Sequence, residues 1–287
     1  MEKVLRLKPL SAGSSLSRWF YSAVLLSGIV LMGINLTGLF LNLNQIDFLE
    51  HEVRFKNDVE LTYNESIQLL KRNDGESDMD YSFRVNDVIS KRLAHIYWNK
   101  YEPEKFNQLV PIWENYFLYF MGKFSGIPEY KRYHFANYSR SLKRGIGICG
   151  DASMVMSQVL NKEGIENKIA SFNGHVVSAV QLNDGKQIVL DADFGVSMPF
   201  SIEEIHQNPS LVDRYYLDQA HQPEQIESLK ESYIGRYKLW DGVEHFITKK
   251  YYFEKISYAL KWPLPIFLIL VASICLYRSN YLIRNSD

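Results

Sequence analysis

Two apolar runs enclose a long polar middle. No charged residue occurs from Trp19 to Ile46, a stretch of 28. At about 1.5 Å per residue, a helix of that length exceeds the roughly 30 Å hydrocarbon core of a bilayer. The run is too long for a signal-peptide apolar region and no Ala-x-Ala-like cleavage site follows it, so it reads as an uncleaved anchor. The second run, Trp262 to Tyr277, is 16 residues long and contains Pro263 and Pro265. Tyr258-Ala-Leu extends it upstream, and Trp262 suits a membrane interface.

Between the runs, the pattern first reads helical, from about Asp47 to Phe124. Leu61 to Leu70 and Val85 to Tyr97 carry apolar residues at three- and four-residue spacing. The polar break Asn73-Asp-Gly-Glu-Ser-Asp separates them. A third helix is expected after Pro103, running through the aromatic stripe Trp113, Tyr116, Phe117 and Phe120, which reads as core. The pattern changes at Cys149. Ala152, Val155, Met156, Val159 and Leu160 mark one helical face, and Gly164 can end the helix in the left-handed conformation. A β-meander follows: Ile165–Phe172, a turn at Asn173-Gly174, His175–Leu182, a turn at Asn183-Asp-Gly185, and Lys186–Asp191. Ser201-Ile-Glu-Glu reads as a capping box, which assigns Glu203 and Glu204 to a helix start rather than to chemistry. Residues 223–236 and 245–260 read helical.

Charge sharpens the outline. Residues 1–18 carry Lys3, Arg6, Lys8 and Arg18 against Glu2, and residues 278–287 carry Arg278 and Arg284 against Asp287. With basic residues outside both runs, the positive-inside bias places both termini in the cytoplasm. The expected organisation is a basic cytoplasmic tail (1–18), a first transmembrane helix (19–43), an extracytoplasmic or periplasmic domain (44–259), a second transmembrane helix (260–278) and a short cytoplasmic tail (279–287). The middle is net acidic, so no nucleic-acid surface is expected. Asn35 and Thr37 in the first run fit helix packing better than a transport path.

The middle holds a single cysteine, Cys149, in Gly-Ile-Cys-Gly-Asp-Ala at a helix start; Cys275 falls in the second run. A thiol is a weak nucleophile until it loses its proton, and a free-thiol pKa of about 8.5 leaves little thiolate at neutral pH. A helix N-terminus and an imidazolium alongside both favour the anion. Asp151 opposes this as a nearby negative charge, although it suits the first turn. Gly145, Gly147 and Gly150 leave room for a substrate backbone. Downstream, His175 opens the second strand and Asp191 ends the third. If Gly185 takes the left-handed position of a three-residue loop, paired residue numbers sum to 368. Asp191 then faces Val177, one diagonal step from His175 on the same sheet face, and Asp193 stands opposite His175. A two-residue loop would turn both aspartates to the other face. The spacing of the other histidines (His51, His95, His134, His206, His221, His245) shows no metal-ligand pattern. No Cys-x-x-Cys, phosphate loop or dinucleotide fingerprint occurs, so neither metal nor cofactor is expected.

Arg144-Gly-Ile-Gly-Ile-Cys-Gly-Asp-Ala, Gly164-Ile, Gly174-His-Val-Val-Ser-Ala-Val and Val189-Leu-Asp-Ala-Asp-Phe-Gly, in this order, resemble the transglutaminase-like branch of the papain-like cysteine enzymes over about residues 130–205. The resemblance implies an α+β core, a nucleophile helix packed on a small antiparallel sheet with added helices, flanked here by the two spans. It also implies Cys149 as nucleophile, His175 as base and Asp191, rather than Asp193, as the residue that orients the histidine. Asp193 would then cap the turn before Phe194-Gly195. Ala192 stands where the family has proline, and Val176 where tryptophan often follows the histidine. The second departure leaves the side-chain oxyanion donor open, with Asn137 and Tyr138 as candidates beside the Cys149 backbone N–H. The expected activity is acyl transfer or amide hydrolysis on a protein or peptide substrate. The contrasting expectation is a non-catalytic membrane scaffold or assembly factor, with partners in a cell-envelope complex, that keeps the fold for binding.

Overall fold

The computed structural model describes residues 15–44, 49, 51–54, 60–218 and 223–284. Lys3, Arg6, Lys8, Asp47, His221 and Asp287, on which parts of the sequence reading rest, lie outside the described residues. In chain order the helices are α1 (Ser15–Gly38), α2 (Tyr63–Leu69), α3 (Asp78–Ser90), α4 (Tyr116–Phe124), α5 (Pro128–Lys131), α6 (Tyr138–Arg144) and α7 (Cys149–Lys162). They continue with α8 (Ile202–Gln207), α9 (Asp213–Asp218), α10 (Pro223–Ile234), α11 (Val243–Phe246), α12 (Thr248–Leu260) and α13 (Pro263–Arg284). The strands are β1 (Ala94–His95), β2 (Ile146–Gly147), β3 (Asn167–Ser171), β4 (Val176–Gln181), β5 (Gln187–Asp191), β6 (Val196–Met198) and β7 (Lys238–Trp240). The fold class is mixed α+β. The chain divides into two compact units, one of Met1–Leu41, Pro111–Leu118 and Ile256–Asp287, the other of Asn42–Val110 and Tyr119–Lys255.

In the first unit α1 and α13 are long and apolar enough to cross a membrane, with only 11% of each apolar window buried. A core helix of a globular protein would be mostly covered. The two helices pack closely at Gly28, where an added Cβ would stand 2.9 Å from Ile269 Cγ1, the close approach that small residues permit. Buried Asn35 donates to the Lys261 carbonyl at 2.6 Å, so its amide serves packing. The helices are offset from the sequence boundaries: α1 ends at Gly38, and α13 runs past Arg278 to Arg284.

The second unit is built on an antiparallel sheet of order β6-β5-β4-β3-β7. Gly185 has φ 85°, and β4 pairs with β5 as Ser178↔Leu190, Ala179↔Val189, Val180↔Ile188 and Gln181↔Gln187. Each of these pairs sums to 368, so the three-residue loop fixes the register read from the sequence. Alternation then sorts the side chains. Val180, Ile188 and Leu190 pack with Val85, Ile89, Val155 and Val159 of α3 and α7. Val177 and Val189 pack on the other face with Ile205, Tyr216, Leu229 and Tyr233 of α8–α10. α7 stops where expected, with Gly164 at φ 73°, and Ser201 and Glu204 form the expected capping box of α8.

Three helical expectations need correction. The helix through Val85 stops at Ser90, and Ala94–His95 instead pairs parallel with Ile146–Gly147; tertiary pairing overrides local pattern there. The stretch after Pro103 is a series of turns, and the helix begins at Tyr116. Pro111 disfavours helical backbone at Val110 and has no N–H to donate, Asn107 sits at φ 51°, and the Asn115 side chain accepts from Phe117 N–H and Leu118 N–H as the cap. The segment 245–260 is broken at Ile247, where φ is −127°.

Candidate active site

Cys149 is the first residue of α7, so its backbone N–H belongs to the helix's unpaired N-terminal donors. The start of α7 is held from below by Asp151. This fully buried carboxylate accepts from Ile148 N–H at 3.1 Å and pairs with His134 Nδ1 at 2.7 Å, with Arg144 at 3.9 Å. His134 stacks on Trp98 at 4.3 Å. Burial would raise the Asp151 pKa, but the His134 and Arg144 charges and the hydrogen bonds outweigh it, and the carboxyl is held below its usual value. The negative charge set against the thiolate in the sequence reading is therefore already paired.

β4 and β5 supply the other two groups. His175 follows the Asn173-Gly174 turn, closed by the bond from Phe172 N–H to the His175 carbonyl at 2.8 Å. His175 Nε2 lies 2.7 Å from Asp191 Oδ2. Asp191 is saturated: Oδ2 also accepts from Tyr216 Oη at 2.6 Å, and Oδ1 accepts from Asp193 N–H and Phe194 N–H at 3.2 and 3.3 Å. Tyr216 Oη is in turn 3.0 Å from Tyr233 Oη. Phe194 and Tyr233 stand edge-on to the imidazole, at 5.6 and 6.2 Å between centroids, which fixes the ring plane. Burial would push the His175 pKa down. The Asp191 charge and hydrogen bond, together with a hydrogen bond to Cys149, more than reverse this, and it stands well above the ordinary histidine value. The Asp191 carboxyl is lowered, against its burial, by the same histidine and by Tyr216.

His175 thus stands between Cys149 Sγ, within 4.8 Å of a ring nitrogen, and Asp191, and the geometry selects Asp191 as its hydrogen-bond partner. Asp193 does not cap the turn; Asp191 does. The Asp193 side chain instead bonds His95 Nδ1 through Oδ1 at 2.6 Å. It still lies close to the thiol, since Cys149 Sγ, a His175 ring nitrogen and an Asp193 carboxylate oxygen all lie within 4.8 Å of one another. This trio is the set among the described residues that could hold a metal ion. The spacing of histidines along the chain could not show it, because its members come from a helix start, a strand start and the β5–β6 turn.

These groups open onto a cavity of about 230 Å³ lined by Arg54, His95, Cys149, His175, Asp193 and Phe194, with Gln225, Ser228 and Ser232 from α10. A larger cavity of about 300 Å³ lies over β3 and β4 near Tyr237, but neither thiol nor imidazole lines it. The two side chains considered as oxyanion donors do not line the thiol's cavity. Asn137 caps α6 by accepting from Arg140 N–H at 3.2 Å, and the Tyr138 hydroxyl accepts from Lys162 Nζ. The cavity's α10 face, His95 and Arg54 were not foreseen. α10 was legible as a helix, but nothing in its sequence says which face meets a thiol 76 residues upstream of Gln225. Compared with protein-family models, with curated proteins and with solved structures, the chain matches none.

Proposed function

We propose that the chain is a membrane-anchored cysteine acyltransferase or amide hydrolase of the transglutaminase-like kind. The observation that carries this reading is the Cys149–His175–Asp191 group at the mouth of a cavity, with the histidine's far nitrogen bonded to a saturated carboxylate. In this reading the Cys149 thiolate attacks the carbonyl carbon of an amide, and the Cys149 backbone N–H stabilises the oxyanion. His175, as imidazolium, gives its proton to the departing amine, which leaves a thioester. It then takes a proton from the incoming amine or water, whose attack on the thioester expels the thiolate. Asp191 and Tyr216 hold the ring in the tautomer and plane that this exchange needs. α1 and α13 would anchor the chain in a bilayer, with both termini cytoplasmic and the domain outside.

The test is alkylation of the full chain in detergent by iodoacetamide, read at Cys149 by peptide mapping. We expect labelling at neutral pH at least tenfold faster than of a free model thiol, slowed by His175→Ala, because the imidazolium no longer holds the thiolate. Labelling at the model-thiol rate, unchanged by His175→Ala, would sink the enzyme and leave the scaffold.

A further inference from the structure

Asp193 is the one carboxylate at this centre with unused bonding capacity. Its side chain is 5% exposed, and Oδ1 is taken by His95 Nδ1. Oδ2 is buried without a hydrogen-bond partner among the described residues. A buried carboxylate oxygen left in that state is destabilising unless something occupies it. The surroundings say what would fit. Cys149 Sγ, a His175 ring nitrogen and an Asp193 oxygen converge within 4.8 Å, and His175 Nε2 is already engaged by Asp191, which leaves Nδ1 for a ligand.

We infer that Cys149, His175 and Asp193 form a three-ligand site for Zn²⁺. One sulfur, one imidazole nitrogen and one carboxylate oxygen with a fourth position toward the cavity is an open tetrahedral set. Small side-chain adjustments bring these atoms to zinc distances of about 2.3 Å for sulfur and about 2.0–2.2 Å for nitrogen and oxygen. The thiolate selects zinc over the hard cations calcium and magnesium. The outer shell is also in place. His175 is oriented by Asp191 and Asp193 by His95, so each of these two ligands has the hydrogen-bonded support that metal ligands require. Binding forms the Zn–S bond at the nucleophile, and the protons displaced from the ligand atoms go to solvent. Zinc would therefore cap the site reversibly. The metal site stands on the donor set alone; its role as a cap rests on Cys149 being the nucleophile proposed above.

The experiment uses the full chain in detergent, stripped with EDTA and titrated with ZnCl₂ or CoCl₂. We expect one zinc retained per chain after desalting, and a thiolate-to-cobalt charge-transfer band that Cys149→Ala abolishes while Cys275 remains. Stoichiometric zinc should slow iodoacetamide labelling of Cys149 at least tenfold, and EDTA should restore it. The zinc concentration giving half-protection should rise tenfold or more in Asp193→Asn, each variant being compared with its own metal-free rate. If that variant does not fold, His95→Ala, which removes the carboxylate's support, should raise the midpoint severalfold. Equal midpoints in wild type and variant would remove Asp193 from the ligand set and overturn the proposal, as would absence of both protection and the cobalt band. Fast, His175-dependent labelling that zinc does not affect would refute this inference alone; slow labelling in metal-free protein would refute the nucleophile instead.

Discussion

Two histidine–aspartate pairs of equal length, 2.7 Å, flank the thiol's helix, and each has a fully buried carboxylate. Asp151 accepts from the backbone of the α7 start, with the Arg144 guanidinium 3.9 Å away, and His134 lies against Trp98, outside the thiol's cavity. Asp191 spends its bonds on Tyr216 and on the turn that follows β5, and His175 faces Cys149 within the cavity. The chemistry of the pairs is the same. What differs is the ring nitrogen engaged, Nδ1 of His134 against Nε2 of His175, and what stands beside the ring, Trp98 for the first and the thiol's cavity for the second.

The largest expected effect breaks this comparison directly. Asp191→Asn replaces a carboxylate with an amide that can neither fix the required tautomer nor stabilise the imidazolium. In a serine triad the equivalent change costs about four orders of magnitude. If Cys149 is the nucleophile proposed above, the loss should be smaller, because a thiol gives up its proton more readily than a serine hydroxyl, and we expect about a hundredfold loss in turnover or in Cys149 labelling. Asp151→Ala should instead act on folding. Removing one partner of a buried pair costs about 3–5 kcal/mol, or a fall in Tm of roughly 6–20 °C at about 2–4 °C per kcal/mol. Its labelling rate per folded molecule should stay within a few-fold of wild type. Thermal melts and labelling of both variants decide the matter: if Asp151→Ala proves the less reactive and Asp191→Asn the less stable, the two roles have been exchanged.

Much of the second pair was legible in the sequence, and almost none of the first. The register of β4 and β5 followed from one glycine in a three-residue loop, and that register puts Asp191 within reach of His175. Local turn chemistry therefore carried the information. Asp151 could be placed in the first turn of α7, but His134, Arg144 and Trp98 come from elements whose meeting depends on the β1–β2 pairing, in a stretch whose periodicity reads as helix. Tyr216 and Tyr233 escaped for a related reason. They sit in helices that cover the sheet's other face, and helical spacing shows that a tyrosine is buried without showing that its hydroxyl meets a carboxylate. The aspartate choice shows the limit from the other side: pairing placed Asp193 opposite His175, and it does come near, but His95 from a distant strand takes its Oδ1 atom.

A smaller effect separates the pairs by pH, in metal-free buffer. His175 stands above its unfolded value of about 6.5. Its contribution to stability is therefore complete below that pH and is lost as pH rises through the raised folded value. Asp191 and Asp151 are both lowered. Their contributions are present above the unfolded carboxyl value of about 3.9 and are lost as pH falls through the depressed folded values. Tm should then hold a plateau between about pH 4 and about pH 6.5, the two unfolded values, and decline on both sides. His175→Gln should flatten the alkaline decline, by a few degrees, while the acid decline persists because Asp151 keeps its partner. An alkaline decline as steep in His175→Gln as in wild type would mean that another group titrates there.

The smallest effect tests the two glycines that flank the thiol's position. Neither Gly147 nor Gly150 lies in the left-handed region, so space alone distinguishes them. A Cβ on Gly147 would stand 2.8 Å from Asp151 Cβ, against the brace, whereas a Cβ on Gly150 meets nothing nearer than Phe246 Cε1 at 3.9 Å. Gly147→Ala must push Asp151 or the β2 backbone aside, at about 1–3 kcal/mol for overpacking. Gly150→Ala, in the first turn of α7, should be neutral or stabilising by up to about 1 kcal/mol through helix propensity. Melts of the two variants therefore move in different directions if the brace is as tight as its distances indicate. The Gly150 variant carries one more reading. Its fold should be intact, so a rise in KM with little change in kcat would mean that substrate backbone passes over the helix start, where only hydrogen leaves it room. Unchanged kinetics would route the substrate past the α10 face of the cavity instead.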